Sequence, residues 1–392
     1  MFNTAVKRVG LICTVLLLLA VSGLGHTAPG EGRDHVLTKW NEFHFRHYGT
    51  RFNPFEKFLT VNNVKNLGMK WSYATGGEVY SSPAVVDGVV YVGSFDGNLY
   101  ALNAHTGAEL WHFGAIYKVW SSPAVANGVV YVGGGDGMYA LNARTGVKLW
   151  SYTSDSPVSS SPSVANGVVY FSSSQGNVYA LNARTGALLW SYYIGYTFIS
   201  SPAVANGVVY IGSLTNSVYA LNARTGALVW RYATRNSIYS SPAVVNGAVY
   251  VSSSDGSVYA LNARTGTLLW SYITGGEASS AAVANGVVYV GVVSSFDNVY
   301  ALNARTGARL WSYNTGWEVV SSPAVANGVV YIGSLNDIND SVYALNARTG
   351  AKLWSYSTGV PVRSSPAVVN GVVYVGSYDG HVYAFSLKHK AN

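Results

Sequence analysis

The sequence contains very little sulfur. It has one cysteine, Cys13, and three methionines among 392 residues. One thiol cannot form an intramolecular disulfide or a cysteine-rich metal site, so neither can be the basis of this fold. Because Cys13 lies in an N-terminal segment that we expect to be removed, the mature chain is predicted to contain no cysteine.

Charge is scarce as well. Only 10% of the residues are Asp, Glu, Lys or Arg, whereas 49% are apolar. This balance excludes a disordered polyelectrolyte and is sufficient for a large core. Glycine and tyrosine are abundant instead, with 43 and 30 residues. Such a composition favours short β-strands joined by tight turns over a helical bundle.

The N-terminal apolar run, residues 9–24, is shorter than the ~20 residues that a membrane-spanning helix needs. It follows Lys7 and Arg8 and precedes small residues, the pattern of an export signal. We predict a signal peptide over 1–28, with a cleavage site that the pattern leaves uncertain and a retained anchor as the alternative. The protein is therefore expected to be exported, to the periplasm, the cell envelope or the extracellular space. Membrane association is expected only through an uncleaved N-terminal segment.

Two short sequence patterns recur with a period of about 40 residues. The first is an eight-letter string, YALNARTG, which begins at Tyr139, Tyr179, Tyr219, Tyr259, Tyr300 and Tyr343, with a seventh copy at Tyr100 that differs at His105. The second is SSPAV or a near relative, which occurs eight times. A fixed period of this length indicates a repeat architecture.

A tryptophan marks the same position of each repeat. These residues are Trp71, Trp111, Trp150, Trp190, Trp230, Trp270, Trp311 and Trp354. Each indole can bury ~150–250 Å², worth about 4–6 kcal/mol of gross transfer free energy at ~25 cal/mol per Å². Eight such anchors need no catalytic explanation, and we predict a structural role for them.

Each repeat unit is predicted to form four strands, A to D. In the second unit these cover 120–126, 129–133, 138–142 and 148–152. Asn127-Gly128 suits a type I′ hairpin between strands A and B, and Gly146 allows a left-handed residue between strands C and D. Strand B is apolar on both faces, as expected for a small sheet packed between two others.

Radial packing of such sheets predicts an all-β, eight-bladed β-propeller. The last unit ends after strand C, at 383–385, and the first recognisable strand, 69–73, has the character of strand D. The N-terminal strand is therefore expected to complete the last blade and to close the ring. We predict a propeller over 68–392, with residues 29–67 as an arm packed on it.

The repeat resembles a known family. The pattern Ala-x-Asn-x-x-Thr-Gly-x-x-x-Trp, which runs from Ala101 to Trp111 in the first copy, is similar to the tryptophan-docking repeat of pyrroloquinoline-quinone (PQQ)-type β-propellers. That superfamily includes quinoprotein alcohol dehydrogenases and the non-enzymatic propeller lipoprotein of the outer-membrane β-barrel assembly machinery. The usual motif has Asp at the position that is Asn103 here.

For a dehydrogenase, the resemblance implies a quinone cofactor, a calcium ion, a catalytic aspartate and often an adjacent cysteine pair. The mature chain is predicted to lack cysteine, has no long loop insertions and repeats nearly interchangeable blades, whereas an active site requires singular residues. We therefore predict no catalytic residue, no metal site and no cofactor. PQQ and calcium belong only to the alternative interpretation, and the loop at 336–341 carries a weak calcium signal.

The alternating strand direction sorts the connections onto two faces. The A–B and C–D turns barely vary between repeats, whereas the B–C and D–A segments vary freely. Of the 13 acidic residues between 68 and 392, 11 lie in the B–C and D–A segments with three basic residues, leaving a net charge of about −8 there. The C–D side carries about +7, largely from the arginines of the repeated string. We predict an acidic, variable face and a basic, uniform one.

Aromatic residues and an arginine precede strand A on the variable face, and we predict that they form a partner-binding patch. The candidate residues are Tyr80, Tyr117, Trp120, Tyr196, Phe198, Tyr239, Trp317 and Arg363. The predicted function is a monomeric, exported, non-catalytic scaffold that binds a protein partner. A glycan-binding module is a second alternative. Although the net charge is +7, export makes a nucleic-acid partner implausible, and we predict none.

Overall fold

The computed structural model describes residues 39–43, 45–114, 117–197, 199–294, 298–335 and 342–388. Within them the chain forms eight blades around a central channel, each with four antiparallel strands in the order A, B, C, D, and a short arm strand, Phe52–Asn53, pairs parallel with the A strand of blade 7. The prediction of an all-β, eight-bladed propeller is confirmed. No helix in this part of the chain is long and apolar enough to cross a membrane.

The strands have nearly constant lengths from blade 1 to blade 8. The innermost A strands are Ala84–Val86, Ala124–Ala126, Ser163–Ala165, Ala203–Ala205, Ala243–Val245, Ala282–Ala284, Ala324–Ala326 and Ala367–Val369. The B strands are Val89–Gly93, Val129–Gly133, Val168–Ser172, Val208–Ser213, Ala248–Ser253, Val287–Gly291, Val329–Gly333 and Val372–Gly376. The C strands are Asn98–Asn103, Gly137–Asn142, Asn177–Asn182, Ser217–Asn222, Ser257–Asn262, Val299–Asn303, Val342–Asn346 and His381–Leu387. The outermost D strands are Glu109–Gly114, Lys148–Thr153, Leu188–Tyr193, Leu228–Ala233, Leu268–Ile273, Arg309–Tyr313, Lys352–Tyr356 and Leu67–Ala74.

The predicted turns are present, but the predicted A strand was too long. Asn127 and Gly128 have φ values of 51° and 76°, as a type I′ hairpin requires, and Gly146 has a φ of 72°. The A strand of blade 2 starts at Ala124 rather than at 120. Pro123 has no N–H for a strand ladder, and the two serines before it are occupied by side-chain hydrogen bonds described below.

The N-terminal strand closes the ring, as predicted. Leu67–Ala74 pairs antiparallel with His381–Leu387, with Met69 opposite Phe385 and Tyr73 opposite Val382. This strand is the D strand of blade 8, so blade 8 is built from both ends of the described chain. The closure leaves no open sheet edge between the first and last blades.

Each repeat tryptophan connects its blade to the next one. Its Nε1 donates a hydrogen bond of 2.9–3.1 Å to the alanine carbonyl in the C–D turn of the following blade, as Trp230 does to Ala263. The glycine of that turn lies against the indole, because a Cβ atom at Gly266 would come within 2.7 Å of the Trp230 ring. The eighth tryptophan, Trp354, donates to the Leu67 carbonyl instead.

A tyrosine on strand B supports the same junction in seven blades. Its hydroxyl donates to the same alanine carbonyl, as in the 3.1 Å bond from Tyr289 to Ala347. The exception is Tyr331 in blade 7, whose buried hydroxyl has no hydrogen-bond partner among the described residues. Blade 8 receives its D strand from the N-terminus and so lacks the C–D turn that would supply an acceptor.

The arm runs inside the central channel along the inner edges of the A strands. Trp40 exchanges two backbone hydrogen bonds with Val85 of blade 1, and the backbone N–H of the corresponding valine in blades 2, 4, 5, 6 and 7 donates to an arm carbonyl. In blade 8 the Val368 carbonyl accepts from Asn53 Nδ2 at 2.8 Å. Because an unpaired inner edge would expose its polar backbone, the arm completes hydrogen bonding that the blades alone do not.

Two buried ionisable residues, Arg51 and Glu42, hold the arm in one register. Arg51 donates from Nε and Nη2 to the carbonyls of Pro323 and Pro366, at 2.9 and 2.8 Å, and from Nη1 to the carbonyl of Phe43. Its guanidinium lies 4.7 Å from the Phe43 ring centroid. Burial lowers the pKa of Arg51 to about 9, which leaves it protonated at neutral pH.

Glu42 contacts the A strand of blade 3, which begins with a residue that differs from the other blades. Blade 3 has Ser163 where the other blades have alanine, and the Ser163 hydroxyl donates to Glu42 Oε2 at 3.0 Å. Glu42 also accepts a bond from the Val164 backbone, while its Oε1 has no partner among the described residues. Burial raises the pKa of Glu42 to about 8, against the opposing effect of these two hydrogen bonds.

The contrast between Tyr289 and Tyr331 gives a matched test of the blade junction. Tyr289→Phe removes a donor from the Ala347 carbonyl and is expected to lower the free energy of unfolding by about 1 kcal/mol. Tyr331→Phe removes an unpaired buried hydroxyl and should be neutral or stabilising. Urea unfolding of both variants measures the difference, and an equal loss in the two variants would contradict the assigned bonding.

The buried carboxyl of Glu42 predicts a pH dependence of stability. The unfolded chain releases this proton near pH 4.5 and the folded chain near pH 8, so the folded state loses stability as pH rises between those values, by a few kcal/mol. Glu42→Gln should flatten this slope and leave the protein more stable than wild type at pH 8.5. Urea unfolding at pH 5, 6.5 and 8.5 measures how the free energy of unfolding depends on pH. Glu318→Gln, at an exposed position, is the control and should keep the wild-type slope.

Candidate functional site: the funnel on the variable face

The connections are divided between two faces of the disc. The A–B and C–D turns of a blade contact each other, as in the 2.8 Å bond from Ala263 N to the Gly247 carbonyl, and form the uniform face. The B–C and D–A segments contact each other on the opposite side, as in the 2.8 Å bond from Ser254 N to the Ser237 carbonyl, and form the variable face. The division therefore matches the one deduced from the repeats.

A funnel with a cavity volume of about 290 Å³ occupies the channel on the variable side. The ring of Phe43, from the arm, lines its inner end, where the arm occupies the channel. The walls include Tyr80, Trp120, Tyr239 and Arg363, four of the residues predicted to bind a partner. The structure thus places half of the predicted patch around one cavity.

A ring of serines forms the neck of the funnel. The second serine of each SSPAV-like motif lines the cavity: Ser82, Ser122, Ser161, Ser201, Ser241, Ser280, Ser322 and Ser365. In seven of the eight junctions the backbone N–H of one such serine donates to the hydroxyl oxygen of the next, at 2.8–3.0 Å. These hydroxyl oxygens serve as acceptors between blades.

Stacked aromatic rings form one wall of the funnel. Tyr80 lies 4.1 Å from Phe95 in a parallel stack, 4.9 Å from Trp120 and 4.6 Å from Tyr378, all measured between ring centroids. The guanidinium of Arg363 lies 5.8 Å from the Tyr80 ring and 5.5 Å from the Tyr378 ring. Burial raises the pKa of Tyr80. The wall is therefore aromatic and cationic at neutral pH.

The remaining predicted aromatics lie outside the funnel. Tyr117, Tyr196 and Trp317 are on the surrounding loops, with 77%, 62% and 42% of their surface exposed. Phe198 lies outside the described residues. The structure therefore separates the prediction into a lining group and an exposed group rather than one contiguous patch.

The aspartates of the variable face are partly occupied by the blades themselves. Asp255 accepts hydrogen bonds from the Ser257 backbone at 2.9 Å and from the Tyr259 hydroxyl at 2.7 Å. Burial, reinforced by this carboxylate, raises the pKa of Tyr259 to about 12. Comparable tyrosine–aspartate bonds recur in blades 1, 2, 3 and 8. These carboxylates therefore stabilise the loops of the variable face as well as contributing to its charge.

No group of three or more His, Cys, Asp or Glu side chains suited to a metal ion occurs in the part of the chain that the structure describes. The loop at 336–341, the weak calcium candidate, lies outside that part. The carboxylate at the funnel, Glu277, accepts a 3.0 Å hydrogen bond from Ser254.

Sequence reasoning missed the serine ring. The SSPAV motif served as a marker of the repeat, although its second serine recurs in all eight blades, even in blade 6, where Ala281 replaces the proline. The first serine has a separate role, since its hydroxyl accepts the backbone N–H at the end of strand B in every blade, as Ser321 does from Gly333. The recurrence was visible in the sequence, but the connection between blades was not.

Segments of this chain are similar in sequence to segments of named dehydrogenases and of an outer membrane protein assembly factor. A 106-residue segment is 35% identical to 1-butanol dehydrogenase (cytochrome c) of Thauera butanivorans, covering 26% of this chain and 13% of that protein. The matched segments span only 9–16% of the curated relatives.

Solved structures show the same fold at low identity. Quinohemoprotein alcohol dehydrogenase ADHIIG from Pseudomonas putida HK5 superposes with a TM-score of 0.76 at 19% identity, covering 91% of this chain and 81% of that one. BamB from Moraxella catarrhalis superposes with a TM-score of 0.70 at 20% identity, covering 82% of this chain and 99% of that one.

Family profiles match most of the propeller. The profile described as glucose/ethanol/alcohol dehydrogenase, beta-propeller domain, matches residues 40–120. The profile described as outer membrane protein assembly factor BamB matches residues 96–196, 194–294 and 273–389, so that its matches together cover more than half of the chain. The chain belongs to this family of PQQ-type β-propellers, the one described as outer membrane protein assembly factor BamB.

Proposed function

We propose that this protein is an exported, non-catalytic scaffold that recognises a protein partner through its variable face. The observation that carries the proposal is the exposure of Tyr117, Tyr196 and Trp317 on loops that differ from blade to blade. Large rings on a rigid support contribute binding energy with little loss of conformational freedom. The carboxylates of the same face would add charge complementarity to a basic partner.

The choice between scaffold and enzyme depends on residues of this chain, since both kinds of protein occur among the similar ones. A calcium ion takes 6–8 oxygen ligands, several of them carboxylates. Among the residues that the structure describes, the funnel lining includes one carboxylate, Glu277, which accepts a hydrogen bond from Ser254. The neck is lined by serine hydroxyls that link the blades. This donor set is a poor fit to a calcium–quinone pair, which supports the non-catalytic proposal.

The arm supports the same choice. Phe43 lines the inner end of the funnel, and Arg51 binds both its carbonyl and its ring. The part of the channel in which the arm lies is therefore filled by the chain itself. A funnel lined at its inner end by the arm and surrounded by exposed rings suits recognition of a protruding side chain or turn better than enclosure of a substrate.

The experiment replaces the three exposed rings. A Tyr117→Ser, Tyr196→Ser, Trp317→Ser variant should lose most of its partner in quantitative pull-down from cell-envelope extracts, because truncating interface aromatics costs ~2 kcal/mol or more each at a hot spot. The melting temperature should change little, since all three side chains are exposed. Capture at the wild-type level would contradict the proposed binding face.

Two controls separate the alternatives. A uniform-face variant, Arg184→Gln, Arg224→Gln, Arg264→Gln, should capture the partner as wild type does. Incubation with the quinone and calcium should give neither a cofactor spectrum nor alcohol-dependent dye reduction, and a positive result in both would overturn the non-catalytic assignment. Retention on a glycan array would instead favour glycan recognition.

A further inference from the structure

The uniform face carries a ring of cations that the fold does not use. Six of its C–D turns present an exposed arginine: Arg144, Arg184, Arg224, Arg264, Arg305 and Arg348. In the described part of the chain these six guanidinium groups make no hydrogen bond or ion pair. The ring is therefore available to an external anion.

The other residues of the repeated turn each have a structural role. Asn182 Oδ1 accepts the backbone N–H groups of Arg184 and Thr185, at 3.0 and 3.1 Å. Thr185 Oγ1 accepts from Ala187 N at 3.3 Å, and Gly186 lies against an indole of the preceding blade. The arginine side chain is the exception. Blade 1 builds the same turn with His105 in its place, so the turn itself does not need the arginine.

Exposed phenylalanines of the arm lie on the same face, near the mouth of the channel. Phe55 and Phe58 have 48% and 52% of their surface exposed. Phe58 lies beside Gly371, in the A–B turn of blade 8, and the guanidinium of Arg46 lies 5.3 Å from the Phe55 ring centroid. Lys57, which lies between Phe55 and Phe58 in the sequence, is exposed. Aromatic side chains next to cations are typical of surfaces that insert at the water–lipid boundary.

The described chain also begins on this face. Lys39 Nζ is 2.8 Å from Asp87 Oδ1, in the A–B turn of blade 1, and the arm enters the channel at the next residue, Trp40.

We infer that the uniform face docks on the surface of an anionic lipid bilayer, with Phe55 and Phe58 inserted among the headgroups. Identical cations repeated around a ring match a laterally uniform surface, whereas a folded protein would match only singular residues. The inference goes beyond the proposed function and beyond the expectation that only the N-terminal segment meets a membrane. In this orientation the variable face points away from the bilayer and remains open to a partner.

Vesicle flotation of the full chain tests the inference. Wild type should partition onto phosphatidylglycerol-containing vesicles more than about a hundredfold more strongly than onto pure phosphatidylcholine vesicles, and 0.5 M NaCl should remove most of the difference. The triple variant Arg184→Gln, Arg224→Gln, Arg264→Gln should lower the partition coefficient on the anionic vesicles on the order of a hundredfold, because each lost charge should reduce it about fivefold. Phe55→Ser, Phe58→Ser should lower it about tenfold or more while keeping the preference for anionic lipid.

A matched variant on the other face controls for net charge. Lys118→Gln, Arg235→Gln, Arg363→Gln also removes three cations and should leave the partition coefficient within about twofold of wild type. Equal binding to the two vesicle types, or equal losses in the two triple variants, would overturn the inference. If the uniform-face triple variant kept its vesicle binding but lost a protein partner, the face would be a protein interface, and the inference would also fail.

Discussion

The contact between each tryptophan and the C–D turn of the next blade is the interaction on which the propeller depends. The indole satisfies the turn's alanine carbonyl, as Trp230 does for Ala263, and lies against a glycine that no other residue could replace without a clash. The contact therefore specifies both the blade-to-blade distance and the identity of the turn. It explains why one face of the disc is nearly invariant: its turns are already occupied in joining the blades.

Because the uniform turns are constrained, variation is confined to the opposite face. The B–C and D–A segments contact each other within that face and take no part in the tryptophan junctions. Exposed rings such as Tyr117 and Trp317 can therefore change without cost to the fold. The serine ring at the neck links the blades by short, identical bonds, so the loops that bind a partner would be held on a rigid support.

The arm makes contacts that differ from blade to blade in an otherwise repetitive channel. Eight similar valines offer backbone hydrogen bonds at equivalent positions, so repetition alone does not select a register for residues 40–53. The register is selected by contacts that occur in one blade only, above all the hydrogen bond between Glu42 and Ser163 of blade 3. Arg51 adds a second restraint through two proline carbonyls. The two buried ionisable side chains thus exchange some stability for a unique position of the arm.

Much of the fold could be predicted because its determinants are local and repeated. The period gives the number of blades, Asn-Gly and Thr-Gly give the turns, and the missing D strand at the C-terminus indicates the closure by Leu67–Ala74. Alternating strand direction is enough to assign each turn to a face. The start of the A strand was misjudged because the backbone and hydroxyls of Ser121 and Ser122 bond to groups 12 and 39 residues away along the chain.

Only the tertiary structure determines which residues that are distant in the sequence come into contact. The course of the arm depends on pairs such as Arg51 with Pro323, 272 residues apart, which no local pattern encodes. The unpaired Tyr331 hydroxyl follows from the neighbouring blade being closed by a strand from the other end of the chain. The division of the predicted aromatic patch also depends on such distant contacts, since Tyr80 and Trp120 pack together in the funnel wall while Tyr117 and Trp317 are exposed. Sequence repeats specify which residues a blade contains, whereas the closed ring specifies which of them meet.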